Sequence, residues 1–246
     1  MHRFFITPDQ ISLPIIRFDD DQAHQMRRVL RLRSGDRVMA LDGMGLQYEV
    51  LLEEVSNSRV TGLITDKSAA VGEPATRLTL FQSLLKREKF EWVLQKGTEL
   101  GVADFAPVIT RRTLVRDGDD VKPEKLERWR RIIKEAAEQS GRGILPRLTA
   151  PIPFEAAAPE TLIHQRALIA WEMETRRTIR DALAERDGVR EVALFIGPEG
   201  GFEREEIDAA VWYGAVPVTL GPRTLRTETA AIVGAALVLH ELGELG

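Results

Sequence analysis

From Arg77 onward, short runs of aliphatic and β-branched residues alternate with longer segments of helical period, and this rhythm constrains the fold more than any other feature of the 246-residue chain. The strand-like runs cover 78–84, 104–109, 165–171, 191–196 and 216–220. The helix-like segments cover 88–100, 123–140, 175–186, 203–213 and 228–242. Strands separated by a helix cannot pair as tight hairpins, so the pattern predicts an α/β fold: a parallel sheet with helices on both faces. In 88–100, Phe90, Val93, Leu94, Gly97 and Leu100 share one face, and Gly101 supplies the stop. In 123–140, Pro123 suits the first turn, and Leu126, Trp129, Ile133, Ala136 and Ala137 form the apolar stripe. The last segment is apolar nearly all round from Ala230 to Leu239. Such a helix needs cover on every side, from the core or from a second copy in a homodimer.

The rhythm before this region is different. Residues 36–41, 46–55 and 59–65 read as strands separated by turns at Ser34-Gly-Asp36, Asp42-Gly-Met-Gly45 and Ser56-Asn-Ser58, with one helix over 21–32. Strands this closely spaced suggest a small β-barrel. Small residues, Gly and Pro in 67–76 mark a linker, which gives two domains, 1–68 and 77–246, joined by about 69–76.

Composition narrows the chemistry. There is no cysteine, which excludes disulfide scaffolds, thiolate metal sites and a Cys nucleophile, and fits a cytoplasmic location. The four histidines are scattered and form no metal-binding pattern, so no metal is expected. The longest apolar run, Ala230 to Leu239, is half of the ~20 residues that span a bilayer, and no secretory leader is visible, so no membrane partner is expected. With 34 basic and 38 acidic residues the net charge is −4, so any nucleic-acid contact must come from a local basic face. The densest such cluster is Arg27, Arg28, Arg31, Arg33 and Arg37, with Lys86, Arg87, Lys89, Arg111 and Arg112 as an extension.

Two glycine-rich turns follow predicted strands, where α/β proteins bind ligands. The first is Gly197-Pro-Glu-Gly-Gly-Phe202; the second is Leu220-Gly-Pro-Arg-Thr-Leu-Arg-Thr-Glu-Thr-Ala230, in which Thr227 is a candidate cap and Arg223 and Arg226 are candidate substrate donors. Around the first turn Glu199, Glu203, Glu205, Glu206 and Asp208 meet only Arg204. Like charges ~4 Å apart repel by roughly 4 kcal/mol at an effective dielectric near 20, so this turn predicts a neutral or cationic ligand rather than a pyrophosphate. Leu41-Asp-Gly-Met-Gly45 lacks the third glycine of a dinucleotide loop and precedes an alternating run, which makes it a hairpin turn. A third segment, Glu138-Gln-Ser-Gly-Arg142, closes a predicted helix; a plain glycine stop and a functional arginine both remain open there.

At these segments, and at the opening His2-Arg-Phe-Phe5 and Lys96-Gly-Thr-Glu-Leu-Gly101, the sequence resembles the SPOUT methyltransferases, and more closely the ribosomal RNA small-subunit methyltransferase E family. The resemblance runs over essentially the whole chain. It implies an N-terminal PUA-like β-barrel that binds RNA and a C-terminal domain with a trefoil knot. It implies a homodimer that transfers a methyl group from S-adenosylmethionine to N3 of a uridine in 16S ribosomal RNA, free or within the assembled 30S subunit. Carried over by motif, Gly197, Glu199, Gly200, Leu220, Gly221, Leu225, Arg226 and Thr229 would line the cofactor pocket. RNA binding would fall to the N-terminal basic cluster, with Arg3, Arg27, Arg28, Arg31 and Arg33 facing RNA. Arg226 would be the first candidate for a catalytic donor and Arg142, of the same or the partner subunit, the second; Glu199 and water remain open as the base. Two positions depart from the pattern: Glu203 stands where a Ser cap is usual, and Thr224 where a branched apolar residue is usual. Two rival readings carry their own predictions: a non-catalytic RNA-binding dimer would ignore S-adenosylmethionine, and a Rossmann-type oxidoreductase would bind NAD.

Overall fold

The structure, a computed structural model, describes residues 1–56, 58–86, 88–114, 121–186 and 188–246; Asn57 and Arg87 of the sequence reading lie outside them. The chain divides into two compact units, 1–73 with 137–145, and 74–136 with 146–246. The segment Glu138–Arg142 therefore belongs to the first unit, although the sequence places it in the second domain. Helical period is read along a segment and carries no information about which neighbour the end of a helix meets.

The first unit holds β1 (His2–Phe5), β2 (Ile11–Ser12), β3 (Ile15–Phe18), α1 (Asp20–His24), β4 (Arg37–Leu41), β5 (Leu46–Val55) and β6 (Val60–Ala69). They form one sheet in the order β1-β4-β5-β6-β3-β2, antiparallel except that β1 runs parallel to β4. Alternation along the strands buries Val38, Ala40, Tyr48, Val50 and Leu52, and these pack with Phe4, Ile16, Phe18 and Met26. Gly62 sits where β5 and β6 cross a register shift; a Cβ there would lie 2.4 Å from Val50 Cγ1 and 2.8 Å from the Leu51 carbonyl. The expected helix over 21–32 is shorter. Asp19 caps α1 by accepting from the Gln22 amide at 2.8 Å, the chain widens into a π turn over Gln25–Val29, and Arg31 turns left-handed at φ 56°. The expected linker also begins later: residues 67–69 are strand, paired with 46–48.

The second unit holds β7 (Arg77–Ser83), α2 (Lys89–Leu100), β8 (Asp104–Ile109), the start of α3 (Pro123–Ser140), β9 (Arg147–Leu148), β10 (Ile152–Pro153), α4 (Phe154–Ala157), β11 (Arg166–Ala170), α5 (Ile179–Ala184), β12 (Glu191–Ile196), α6 (Arg204–Trp212), β13 (Ala215–Val218) and α7 (Thr227–Glu241). The sheet order is β10-β8-β7-β12-β11-β13, with β9 also on β8, and every pairing is parallel. Side chains alternate between two cores, as strands buried on both faces require. Leu78, Leu80, Leu168, Val192 and Leu194 face one core with residues of α2, α3, α5 and α7, while Phe81, Ile169, Ala193 and Phe195 face the other with residues of α4 and α6. Two-residue strands such as β9 and β10 are too short to show a period, and the sequence reading omits them. On α7, Ala231, Gly234, Ala235, Val238 and Leu239 are buried, while Ile232, Val233, Ala236 and Leu237 stay half-buried.

Candidate functional site

Because all strands of the second sheet run parallel, the carboxyl ends of β11, β12 and β13 open on the same edge. The segments that leave them line a cavity of about 440 Å³. Ala170 ends β11, with Trp171 and Glu172 after it; Ile196 ends β12, with Gly197 to Phe202 after it; Thr219 to Gly221 and Arg223 to Arg226 follow β13, with Thr227 and Ala230 from α7 and Lys89 from α2. Gly201 and Gly221 take left-handed backbone conformations, φ 71° and 111°, that few side chains tolerate. A hydrogen bond ties the two glycine turns together: the Thr227 hydroxyl donates to the Gly197 carbonyl at 2.5 Å. The Gln82 amide at the end of β7 donates to the same hydroxyl at 3.3 Å. Thr227 is thus the first residue of α7 rather than its cap; Arg226 holds the cap position and offers no side-chain cap bond.

Of the residues expected to hold a cofactor, Gly197, Glu199, Gly200, Leu220, Gly221, Leu225 and Arg226 line this cavity; Thr229 does not. Thr227 and Ala230, three apart on α7, share the face that meets the cavity, and Thr229 is turned off that face. The side chains of Arg223 and Arg226 make no ion pair among the described residues, and both are exposed.

The charge balance of the site differs from the count along 199–208. Lys89 Nζ lies 3.4 Å from Glu199 and 3.5 Å from Glu228. Arg112 grips Glu203 at 2.7 and 3.0 Å and donates to the Gly200 carbonyl at 2.7 Å, and the Glu203 bonds hold its guanidinium above the usual arginine range. Glu206, buried, accepts the backbone amides of Glu203 at 2.7 Å and of Arg111 at 2.9 Å, which orders the entry to α6 without a Ser cap. The cavity wall itself carries Lys89, Arg223 and Arg226 against Glu172 and Glu199. The acidic turn inferred from sequence is therefore neutralised by cations from distant segments, and repulsion of anions does not describe the site.

Arg142 is not part of this cavity. It is 5% exposed, and its Nε and guanidinium nitrogen donate to Glu73 at 3.2 and 2.9 Å. Glu73 also accepts the amides of Gly143 and Ile144 at 2.7 and 3.0 Å, and Glu138 accepts the Phe5 amide at 3.1 Å. The 138–142 segment thus stitches the first unit together, and its arginine is committed to a local carboxylate. Among the described residues no group of three or more acidic or histidine side chains could hold a metal ion, and no helix is long and apolar enough to cross a membrane.

Comparison with known proteins decides the family. A model described as an RNA methyltransferase domain matches residues 72–239, and one described as an RNA methyltransferase PUA domain matches 18–65. Ribosomal RNA small subunit methyltransferase E of Synechocystis is 35% identical over 96% of this chain and 77% of its own length. The chain belongs to the ribosomal RNA small subunit methyltransferase E family. Two of the solved structures that share its fold hold S-adenosylmethionine. One is a putative Legionella pneumophila methyltransferase in complex with S-adenosylmethionine: TM-score 0.87, 31% identity, covering 97% of this chain and 96% of that one. The other is the methyltransferase E of Neisseria gonorrhoeae bound to the same molecule: TM-score 0.85, 29% identity, covering 98% and 97%.

The candidate RNA-facing arginines of this chain all lie on the first unit. Arg3, Arg28, Arg31 and Arg33 are exposed, whereas Arg27 is half-buried and donates through Nε to the Ala23 carbonyl at 3.0 Å. Of the extension, Lys89 and Arg112 are occupied as above, Arg111 pairs with Glu205 at 3.5 Å, and Lys86 is exposed.

Proposed function

We propose that this protein transfers a methyl group from S-adenosylmethionine, bound in the cavity at the ends of β11 to β13, to N3 of a uridine in 16S ribosomal RNA. The observation that supports this most is that the two glycine turns meet around one cavity, joined through Thr227 and Gly197. The cavity has the volume and mixed lining of a small-molecule site. Apolar Ile196, Phe202, Leu220, Leu225 and Ala230 suit an adenine ring, and Glu172 and Glu199 suit the donor's cationic centre. S-adenosylmethionine supplies an electrophilic methyl group on a positively charged sulfur. The protein's task is then to align N3 and to stabilise the negative charge left when N3 loses its proton. Arg226, exposed on the cavity wall and unpaired among the described residues, would donate to a carbonyl oxygen beside N3.

The same reading assigns the first unit a PUA-like barrel that holds RNA through Arg3, Arg28, Arg31 and Arg33, and the second a trefoil knot. The sheet order, in which β12 lies between β7 and β11, is compatible with such threading. The half-buried stripe Ile232, Val233, Ala236 and Leu237 of α7 suits the homodimer contact. A cytoplasmic place and the 30S subunit as a partner follow from such a substrate. The test is one calorimetric titration with S-adenosylmethionine and with NAD, followed by nucleoside mass spectrometry of treated 16S RNA. Binding of S-adenosylmethionine alone, with N3-methyluridine formed, supports the proposal. Binding of NAD would favour an oxidoreductase, and binding of neither a non-catalytic RNA module.

A further inference from the structure

Uracil that has lost its N3 proton spreads the charge over both flanking carbonyl oxygens, so a site that stabilises it gains from two donors, one on each side. Arg226 offers one. The second donor suggested by sequence, Arg142, is buried against Glu73 in the other unit. The cavity wall holds another cation that no sequence motif marks. Lys89, the first residue of α2, lines the cavity with its ammonium 3.4 Å from Glu199 and 3.5 Å from Glu228. Lys89, reached through Glu228 of α7, and Arg226, at the start of that helix, both line the cavity. The Glu228 Oε2 that faces Lys89 is buried and makes no hydrogen bond among the described residues; its link to the ammonium is purely ionic. Lys89 is thus held in place by two carboxylates on separate elements, with its grip on each long and loose. Arg223 also lines the cavity but has no carboxylate to aim it among the described residues.

We infer that Lys89 is a catalytic residue for the reaction proposed above: its ammonium turns from Glu199 to a carbonyl oxygen of the target uracil and stabilises the N3 anion opposite Arg226. The step balances without a further reactant. The N3 proton leaves to water; the N3–C bond forms as the C–S bond of the methyl donor breaks, and that electron pair stays on sulfur. Lys89 donates a hydrogen bond and transfers no proton in the step. The groups that face it are Glu199 from the turn after β12 and Glu228 from α7, with Arg223, Arg226 and Glu172 around the cavity; on its own helix Glu91 is taken up by Arg128 at 2.7 Å.

The inference rests on the methyltransferase reading, and its test separates the two. Single-turnover methylation of 16S RNA is measured from pH 6 to pH 10 with wild type, Lys89→Met and Lys89→Arg, alongside S-adenosylmethionine affinity by calorimetry. A donor at a carbonyl oxygen lowers the pH at which N3 ionises, so the wild-type rate should rise with pH and level off early. Lys89→Met should slow methylation on the order of 100-fold, the loss typical of a missing oxyanion donor, and move the levelling point up by about one pH unit or more. Its S-adenosylmethionine affinity should fall far less than its rate, and Lys89→Arg should restore both rate and profile in large part. An active wild type whose pH profile is unchanged in Lys89→Met overturns the role of Lys89 alone, because a clasp that merely orders Glu199 would not move it. A wild type that neither binds S-adenosylmethionine nor methylates RNA overturns the underlying reading and this inference with it.

Discussion

Replacing Arg142 with alanine removes one half of an ion pair in which the arginine side chain is 5% exposed and the Glu73 side chain 15%. Breaking a buried pair leaves an uncompensated charge and costs about 3–5 kcal/mol. Glu73 keeps two partners, the amides of Gly143 and Ile144, so its charge is not wholly abandoned and the cost belongs at the lower end, about 3 kcal/mol. In a unit of this size each kcal/mol moves the melting temperature by roughly 4–8 °C, which predicts a fall of about 12–24 °C for the first unit. Scanning calorimetry reads this directly, and S-adenosylmethionine titration well below the lowered transition should show near-normal affinity. If Arg142→Ala instead melts within about 3 °C of wild type while methylation is abolished, the arginine is a catalytic group after all and the structural assignment is wrong.

Other outcomes follow from the same contacts. Arg226→Ala should melt within about 0.5 kcal/mol of wild type, as an exposed substitution does, yet lose on the order of 100-fold in single-turnover methylation; equal losses in cofactor affinity and rate would contradict the donor role. Gly62→Ala should destabilise the first unit by about 1–3 kcal/mol in urea unfolding, since its Cβ must displace Val50 or the Leu51 backbone. Hydrogen bonds from the Thr178 hydroxyl and amide hold the Asp181 carboxyl below its usual 3.8, so its stabilisation is full above that pH and fades as pH falls through the lower folded value; Asp181→Asn should flatten the acid limb of melting temperature against pH. Neutralising Arg28, Arg31 and Arg33 together should weaken RNA binding and reduce its salt slope by about 2–3, whereas an unchanged slope would remove them from the RNA face.

Where local period decides structure, the sequence is legible. The α3 helix and the strands β8 and β12 begin and end where apolar spacing and flanking turns place them. Both glycine turns are legible as special turns because left-handed backbone at Gly201 and Gly221 is a local demand that glycine meets, and the two turns meet around one cavity. What sequence does not carry is which distant segment completes each local feature. Glu199, Glu203 and Glu206 read as an acidic patch until Lys89, Arg112 and the Arg111 amide arrive from α2 and from the chain that follows β8. Arg142 reads as a free arginine until Glu73, 69 residues away, is folded onto it. Helix α1 is misread past His24 because the apolar spacing continues while the backbone widens and then reverses at Arg31. Thr229, expected in the pocket from its motif, is not on the helix face that lines the cavity: membership of a motif does not fix which way a helix face turns.

The account depends on the cavity between the turns after β12 and β13 being the place where the methyl donor sits. A crystal structure of this protein grown with S-adenosylmethionine tests that most directly. The prediction is density for the whole molecule against Gly197, Leu220 and Leu225, with Thr227 still bridging the turns. Density elsewhere on the protein, or a cavity filled by inward-collapsed Leu220 and Leu225 at saturating donor, would contradict it.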